Sequence, residues 1–213
     1  MSFLSEIYKF KNRTAIISKN DIKISYGELY KISNKLVRDI SPRSLIFLLA
    51  GNNIETIFYY VGLVNANSVI TMLDKDINEK NLKKLIIKYK PNYLILPSRY
   101  HNITGYIYEN RFYNYKILEK KNNKKIIIYD ELAILLNTSG STGSSKLVRQ
   151  SYQNYIENSK SIVKMIGINF KDSVITTLPM SYTFGSSIIN THLISGSKII
   201  LNEYPILQKN FPV

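Results

Sequence analysis

The sequence predicts an α/β protein, with a mostly parallel sheet and helices on both faces. Three observations carry this. Short, continuous apolar runs such as Leu45–Leu49 read as strands covered on both sides. Between them lie segments with apolar residues at three- and four-residue spacing, as one buried face of a helix requires. The two patterns alternate along the chain, and alternating strand and helix imply a parallel sheet.

The elements follow in order. Ala15–Ile17 and Ile22–Ile24 flank Lys19-Asn20-Asp21 and predict a hairpin. Ser25-Tyr26-Gly27-Glu28 has the form of a capping box, with Ser25 as N-cap and Glu28 at N3. Leu29, Ile32, Leu36 and Ile40 then mark the buried side of a helix that Ser41-Pro42 is expected to end. After the Leu45–Leu49 strand, a helix is expected over Ile54–Val64 with Asn52 as cap, and a strand over Ser68–Leu73. Asn78–Tyr89 predicts a helix that Pro91 stops, and Tyr93–Leu96 the next strand. Residues 98–124, rich in Tyr, Asn and Lys, read as irregular apart from a short strand near Tyr115–Leu118. Ile126–Tyr129 and Ala133–Leu136 read as strands, Tyr152–Ile166 and Phe184–Leu193 as helices, Val174–Leu178 and Lys198–Leu201 as strands.

Composition narrows the function classes. The 213 residues contain no cysteine, which excludes disulfides and cysteine metal sites and fits a cytoplasmic protein. At 45% hydrophobic the chain is a globular one. No amino-terminal targeting segment is visible. The most apolar stretch, Ile54–Leu73, carries Glu55, Asn65 and Asn67 and divides into a helix and a strand, so no membrane span is expected. The net charge of +14 favours anionic partners. Its lysines are dispersed among Ile, Asn and Tyr, as AT-rich coding produces, and no basic stripe marks a specific nucleic-acid site.

The most informative segment is Thr138-Ser139-Gly140-Ser141-Thr142-Gly143-Ser144-Ser145-Lys146, read as a loop between a strand and a helix. Glycines allow close backbone approach to a ligand, and successive N–H groups of such a loop converge on phosphate oxygens. Hydroxyls add donors, and Lys146 adds a charge that strengthens them. Leu147 follows the lysine where a Walker A loop needs Ser or Thr, so P-loop NTPase chemistry is not implied. By composition alone, a plain Ser/Gly surface loop is the competing reading.

From Thr138 to Lys146 the loop resembles the phosphate-binding signature of the adenylate-forming (AMP-binding) superfamily, which includes acyl-CoA synthetases, luciferases and nonribosomal peptide synthetase adenylation domains. Ser145 stands at the family's proline, a tolerated variant, and Leu147 at a glycine. Ile24–Leu29 looks like the early Thr-Tyr-x-Glu-Leu motif, and Ser44–Asp74 like the second family motif, ending at Met72-Leu73-Asp74. Leu178-Pro179-Met180-Ser181-Tyr182-Thr183-Phe184-Gly185 is similar to a family segment beside the acyl and nucleotide pockets. Tyr152 and Tyr182 stand where many relatives have histidines; Glu28 and Asp74 read as structural.

The resemblance implies the amino-terminal part of the ligase large domain, incomplete over residues 1–213. A first α/β portion would run to about residue 130; the phosphate loop and the start of a second portion would fill 131–213. It implies an AMP-dependent ligase that uses ATP and Mg2+ to activate a carboxylic acid to an acyl-adenylate, with CoA or a carrier protein as acceptor. Thr138 and Lys146 would stabilise the phosphates as catalytic groups, the whole 138–146 loop would bind nucleotide, and Tyr182 and Gly185 would line the substrate pocket. The family's adenine- and ribose-contacting segments and its carboxy-terminal lid are expected beyond Val213. The isolated chain is therefore expected to be inactive and poorly soluble, unless a second polypeptide supplies the rest. An inactive remnant and a nucleotide- or polyanion-binding module are the alternatives.

Overall fold

The computed structural model describes residues 5–18, 21–101, 103–122, 127–137 and 147–202. Seven strands form the larger sheet. β3 (Leu45–Ala50), β4 (Val69–Asp74), β5 (Tyr93–Pro97) and β8 (Leu132–Asn137) make its parallel centre, in the order β5-β3-β4-β8. The hairpin β6 (Tyr106–Phe112) and β7 (Tyr115–Lys120) adds antiparallel to β5, and β9 (Leu147–Ser151) adds antiparallel to β8. A smaller sheet has the order β10-β11-β1-β2, from Ser173–Ile175, Lys198–Ile200, Thr14–Ile17 and Lys23–Ser25. The amino-terminal hairpin is present but not isolated: β1 pairs antiparallel with β2 and parallel with β11.

The pleat sorts the larger sheet's side chains onto two faces. Phe47, Leu49 and Leu73 pack with Leu82 and Leu85 of α3 (Glu79–Tyr89). Ile46, Leu48, Ile70 and Met72 pack with α2 (Ile54–Asn65). Alternate residues thus serve opposite layers, which is why these strands read as unbroken apolar runs.

Helix α2 is the hub. Every residue from Glu55 to Val64 is buried. It lies against β3 and β4, against α1 (Tyr26–Leu36), and reaches α5 (Thr183–Ser195) through the Tyr60 hydroxyl, which donates to Asn190 Oδ1 at 2.8 Å. Gly62 permits the α1 contact: a Cβ there would stand 2.3 Å from the Ser33 carbonyl oxygen. Tyr26, fully buried, joins the start of α1 to the far end of the chain, its hydroxyl 2.6 Å from the Ser197 carbonyl oxygen. The expected capping box is formed, with Ser25 and Glu28 as partners.

Several expectations are corrected. Helix α1 ends at Leu36 rather than at Ser41-Pro42, because a tight turn, Ile40 N–H to Val37 C=O, buries Val37 and Ile40 while Arg38 and Asp39 stay in water. The cap of α2 is Asn53, not Asn52; its side chain accepts from Thr56 N–H. Residues 98–124 hold a full hairpin, whose outer strand β6 was hidden by its exposed, non-alternating Tyr108–Arg111. Residues 127–129 form no strand; Ile127 is exposed, and the Arg43 guanidinium takes the carbonyls of Tyr129 and Leu132 at 2.7 and 2.9 Å. Ile126 lies outside the described residues.

Gly62→Ala is expected to lower stability by about 1–3 kcal/mol, the usual cost of overpacking. An unchanged urea midpoint would show that α1 and α2 are not in tight register. Stability is also expected to fall above pH 10. Burial pushes the Tyr152 and Tyr155 hydroxyls up to about 12, while unfolded tyrosine ionises near 10. The unfolded chain therefore loses its tyrosine protons first, and the neutral-state advantage disappears as pH climbs through 10 to 12. Urea midpoints at pH 8, 10 and 12 measure this, and Tyr152→Phe should flatten the slope.

Candidate functional site

The parallel strands β3, β4, β5 and β8 all end at one edge of the larger sheet. Ligands of open α/β sheets bind outside such carboxyl ends. Met72 of β4 is level with Leu136 of β8, so the chain leaves β8 beside the turn after β4. The 138–146 loop, with Thr138 and Lys146 at its ends, lies outside the described residues, but both flanks are placed. Asn137 pairs with Leu147 across the β8–β9 ladder. The loop is therefore the connection of a hairpin at the carboxyl edge. This corrects the strand–loop–helix setting: β9 intervenes before α4 (Tyr152–Ile166), which begins with Ser151 as its cap. The sequence hid β9 because it is an edge strand with Val148 and Arg149 exposed.

The neighbouring turns on this edge are fastened. Asn53 Nδ2 donates to the Tyr115 hydroxyl, which itself donates to the Leu49 carbonyl at 2.9 Å. Arg99 holds the turn after β4 through the Lys75 carbonyl and the Asp76 carboxylate. Asp74 accepts from Asp76 N–H; at the opposite, amino-terminal edge the Tyr152 hydroxyl donates to the Ser68 carbonyl at 2.6 Å.

Against the β8–β9 hairpin lies a cavity of about 350 Å³. Leu136 and Gln150 of the hairpin form one wall. Asn154, Tyr155 and Asn158 of α4 form a second, and Thr183, Ser186, Ser187 and Asn190 of α5 a third. No lining side chain is charged; nearly all carry a donor or acceptor. Asn190 Oδ1 is committed to Tyr60, so its NH2 is the group it has left to offer. The Tyr155 hydroxyl is buried with no partner in good geometry among the described residues. Desolvation raises its pKa to about 12, against a lowering pull from the nearby Ser186 hydroxyl, so it is a neutral donor at neutral pH. Helix α5 opens here without a side-chain cap, since Tyr182 occupies the N-cap position. Its first N–H groups thus present the positive end of a helix dipole beside the cavity.

Of the sequence-chosen pocket residues, Tyr182 and Gly185 sit together at the start of α5. Tyr182 is 53% exposed, with its N–H on the Pro179 carbonyl. Gly185 is buried, and a Cβ there would meet the Pro179 and Leu178 carbonyl oxygens at 2.2 and 2.6 Å. It lets α5 turn tightly off the Leu178–Pro179 segment. The cavity residues on α4 and on α5 beyond Tyr182 and Gly185 were missed. A weak signal was available: Thr183, Ser186, Ser187 and Asn190 recur at three- and four-residue spacing on one side of the helix, though Thr191, His192 and Ser195 place polar residues elsewhere on it. Among the described residues no group of His, Cys, Asp or Glu is arranged to hold a metal, and no helix is long and apolar enough to cross a membrane.

A parallel sheet covered by helices on both faces, with residues 138–146 connecting a hairpin at its carboxyl edge, defines an open-sheet α/β protein. The family model described as AMP-binding enzyme matches residues 3–210, and the chain belongs to that family. It is 19% identical to bacitracin synthase 2 of Bacillus licheniformis over 92% of this chain and 8% of that protein. It is 24% identical to the 2-succinylbenzoate–CoA ligase of Listeria innocua over 84% of this chain and 38% of that one. The structure of ATP-bound MatB from Rhodopseudomonas palustris superposes with a TM-score of 0.73 at 19% identity, over 95% of this chain and 45% of that one. The chain thus spans less than half the length of each of these relatives.

Gly185→Ala is expected to lower the urea midpoint clearly, by the same overpacking cost of about 1–3 kcal/mol. Tyr155→Phe should leave stability unchanged or raised at pH 7, because the hydroxyl it removes is buried and unpartnered. A marked loss would show that a group on the cavity side satisfies it.

Proposed function

We propose that residues 1–213 form the phosphate-binding part of an AMP-dependent ligase that activates a carboxylic acid. In this reaction a carboxylate oxygen attacks the α-phosphorus of ATP. The bond from that phosphorus to the bridging oxygen breaks, pyrophosphate leaves with the bond's electron pair, and an acyl-adenylate forms. An acceptor such as CoA or a carrier protein then takes the acyl group and AMP departs. The observation that carries the reading is the position of the 138–146 segment, spanning a hairpin at the carboxyl edge of the parallel sheet.

Each part has a task. Thr138, Ser141, Thr142 and Lys146 would donate to the β- and γ-phosphates, where charge gathers as pyrophosphate leaves; Ser139, Ser144 and Ser145 would add backbone and hydroxyl donors. Gly140 and Gly143 would let the backbone approach. Such fixed donors stabilise the transition state because they need no reorganisation. The uncharged cavity beside the loop would hold the acid, with Tyr182 and Gly185 at its edge. Magnesium, by family likeness, would neutralise part of the triphosphate charge; no ligand to it is assigned to this chain. That MatB of Rhodopseudomonas palustris has been solved with ATP supports the nucleotide. The ligase and synthase names of the relatives support the reaction class.

Two measurements test the proposal. A fluorescent ATP analogue should bind the 213-residue chain weakly, and Lys146→Ala should weaken it about tenfold, the loss of one charge-assisted contact. Unchanged affinity would remove the loop from nucleotide binding. Acid-dependent pyrophosphate exchange by these residues alone should be negligible. With the remaining ligase segments supplied, in one chain or as a second polypeptide, exchange should appear and fall about 100- to 1,000-fold in Lys146→Ala.

A further inference from the structure

A second cavity, of about 530 Å³, lies on another side of the helix pair that lines the first. The candidate site uses the amino-terminal halves of α4 and α5. This groove uses the carboxyl end of α5, a different side of α4 from Ile156 to Lys164, the 3-10 helix Ser5–Phe10 and the turn at 168–170. Its volume falls within the range of about 300–1,000 Å³ usual for small-molecule pockets.

The floor is apolar and held in place. Phe10, Ile156, Val163 and Ile194 are all half-buried, and Phe170 is 46% exposed, so the groove displays apolar surface that folding has left partly wet. Gly196 lies directly behind Phe10; a Cβ there would come within 2.7 Å of the ring. The Arg13 guanidinium stacks over Phe170 at 4.4 Å and donates to its carbonyl at 2.6 Å. The aromatic walls are therefore preformed, and a ligand need not order them.

The mouth is cationic. Lys9, Lys160 and Lys164 line it against one acid, Glu6. Lys9 pairs with Glu6 at 3.5 Å and Lys160 with Glu157 at 3.6 Å, both as exposed neighbours along their own helices. Such pairs are weak and exchange readily. Lys164 has no hydrogen-bond or ion-pair partner among the described residues. Long lysine stems can cover apolar surface while their ammonium groups stay in water, ready to meet an anionic head.

We propose that this groove binds a free amphiphilic carboxylate, a single aliphatic or aromatic body with one anionic head. The body lies on Phe10, Ile156, Val163 and Phe170, and the carboxylate meets Lys160 and Lys164. A concave, bounded cavity with lysines at its mouth suits one tail and one head. A bilayer surface or an extended peptide would instead need a broad convex or open face. The site does not share residues with the proposed nucleotide loop or acid cavity, and it stands whether or not that reading holds.

The test is titration of the full chain with decanoate, followed by amide shifts in 1H–15N NMR spectra. Decyltrimethylammonium, with the opposite head charge, and anionic lipid vesicles are run in parallel. Decanoate is expected to saturate and to shift amides of residues 9–10, 156–170 and 194–196, with little binding of the cationic analogue or the vesicles. The double variant Lys160→Glu/Lys164→Glu should weaken decanoate about tenfold or more. Val163→Glu should abolish it. Both lysines are solvent-exposed, so the double variant decides the matter if Val163→Glu fails to fold. Equal binding of both head charges, shifts confined elsewhere, no effect of the double variant, or binding to vesicles alone would overturn the proposal.

Discussion

The burial of α2 on all its sides is the constraint on which the rest of the structure depends. A helix with polar residues along one flank can end a layer, but from Glu55 to Val64 this one has no face to give to water. The larger sheet covers one side. The other sides must be covered by elements from elsewhere in the chain: α1 packs on one, Phe112 and Tyr115 of the β6–β7 hairpin meet Phe58 and Tyr59, and α5 is joined through Tyr60 and Asn190. Gly62 sets how close α1 can come, and Tyr60 ties α2 to Asn190 across 130 residues of sequence. Each contact removes apolar surface from water at about 25 cal/mol per Å². Leaving α2 half-covered would expose large aromatic side chains, so α1 and the β6–β7 hairpin are held to fixed positions around it.

That constraint also joins the two sheets. Strand β1 is drawn beside β11, and Tyr26, at the start of α1, reaches the carbonyls at the end of α5. The first and last described strands are thus paired, and the two sheets share one hydrophobic core. The candidate site inherits this arrangement. Its cavity lies where α4, α5 and the β8–β9 hairpin meet, and one of its lining residues, Asn190, is held by a tyrosine of the central helix. Packing demand and ligand-facing geometry therefore act through the same side chains. At the carboxyl end of α5 and on a different side of α4 that demand is met less fully, and there the chain leaves an apolar groove rimmed by lysine.

The 138–146 segment illustrates how motif and setting separate. The residues Thr138 to Lys146 carry donors and a charge whatever surrounds them, and this could be read directly. Their setting between two antiparallel strands could not. Leu147–Ser151 has no apolar alternation because, as an edge strand, it is covered little. The same reason hid β6, whose exposed residues include Tyr108, Glu109 and Arg111. Edge strands gain their structure from a neighbour's backbone and leave a weak trace in side-chain pattern.

By itself the sequence determined the α/β class, the central parallel strands, the capping box of α1 and the chemical character of the 138–146 segment. These follow from local rules: apolar periodicity, cap residues, and the donors that glycine, serine, threonine and lysine bring. Only the tertiary structure decided that the amino-terminal hairpin joins a second sheet, that the loop bridges a hairpin at the carboxyl edge, and that polar residues of α4 and α5 meet around one cavity. Those features rest on contacts between residues far apart in the chain, such as Tyr26 with Ser197 and Tyr60 with Asn190. A local pattern holds no record of its distant partner, and the partner is chosen only when the whole apolar surface of α2 must be covered at once.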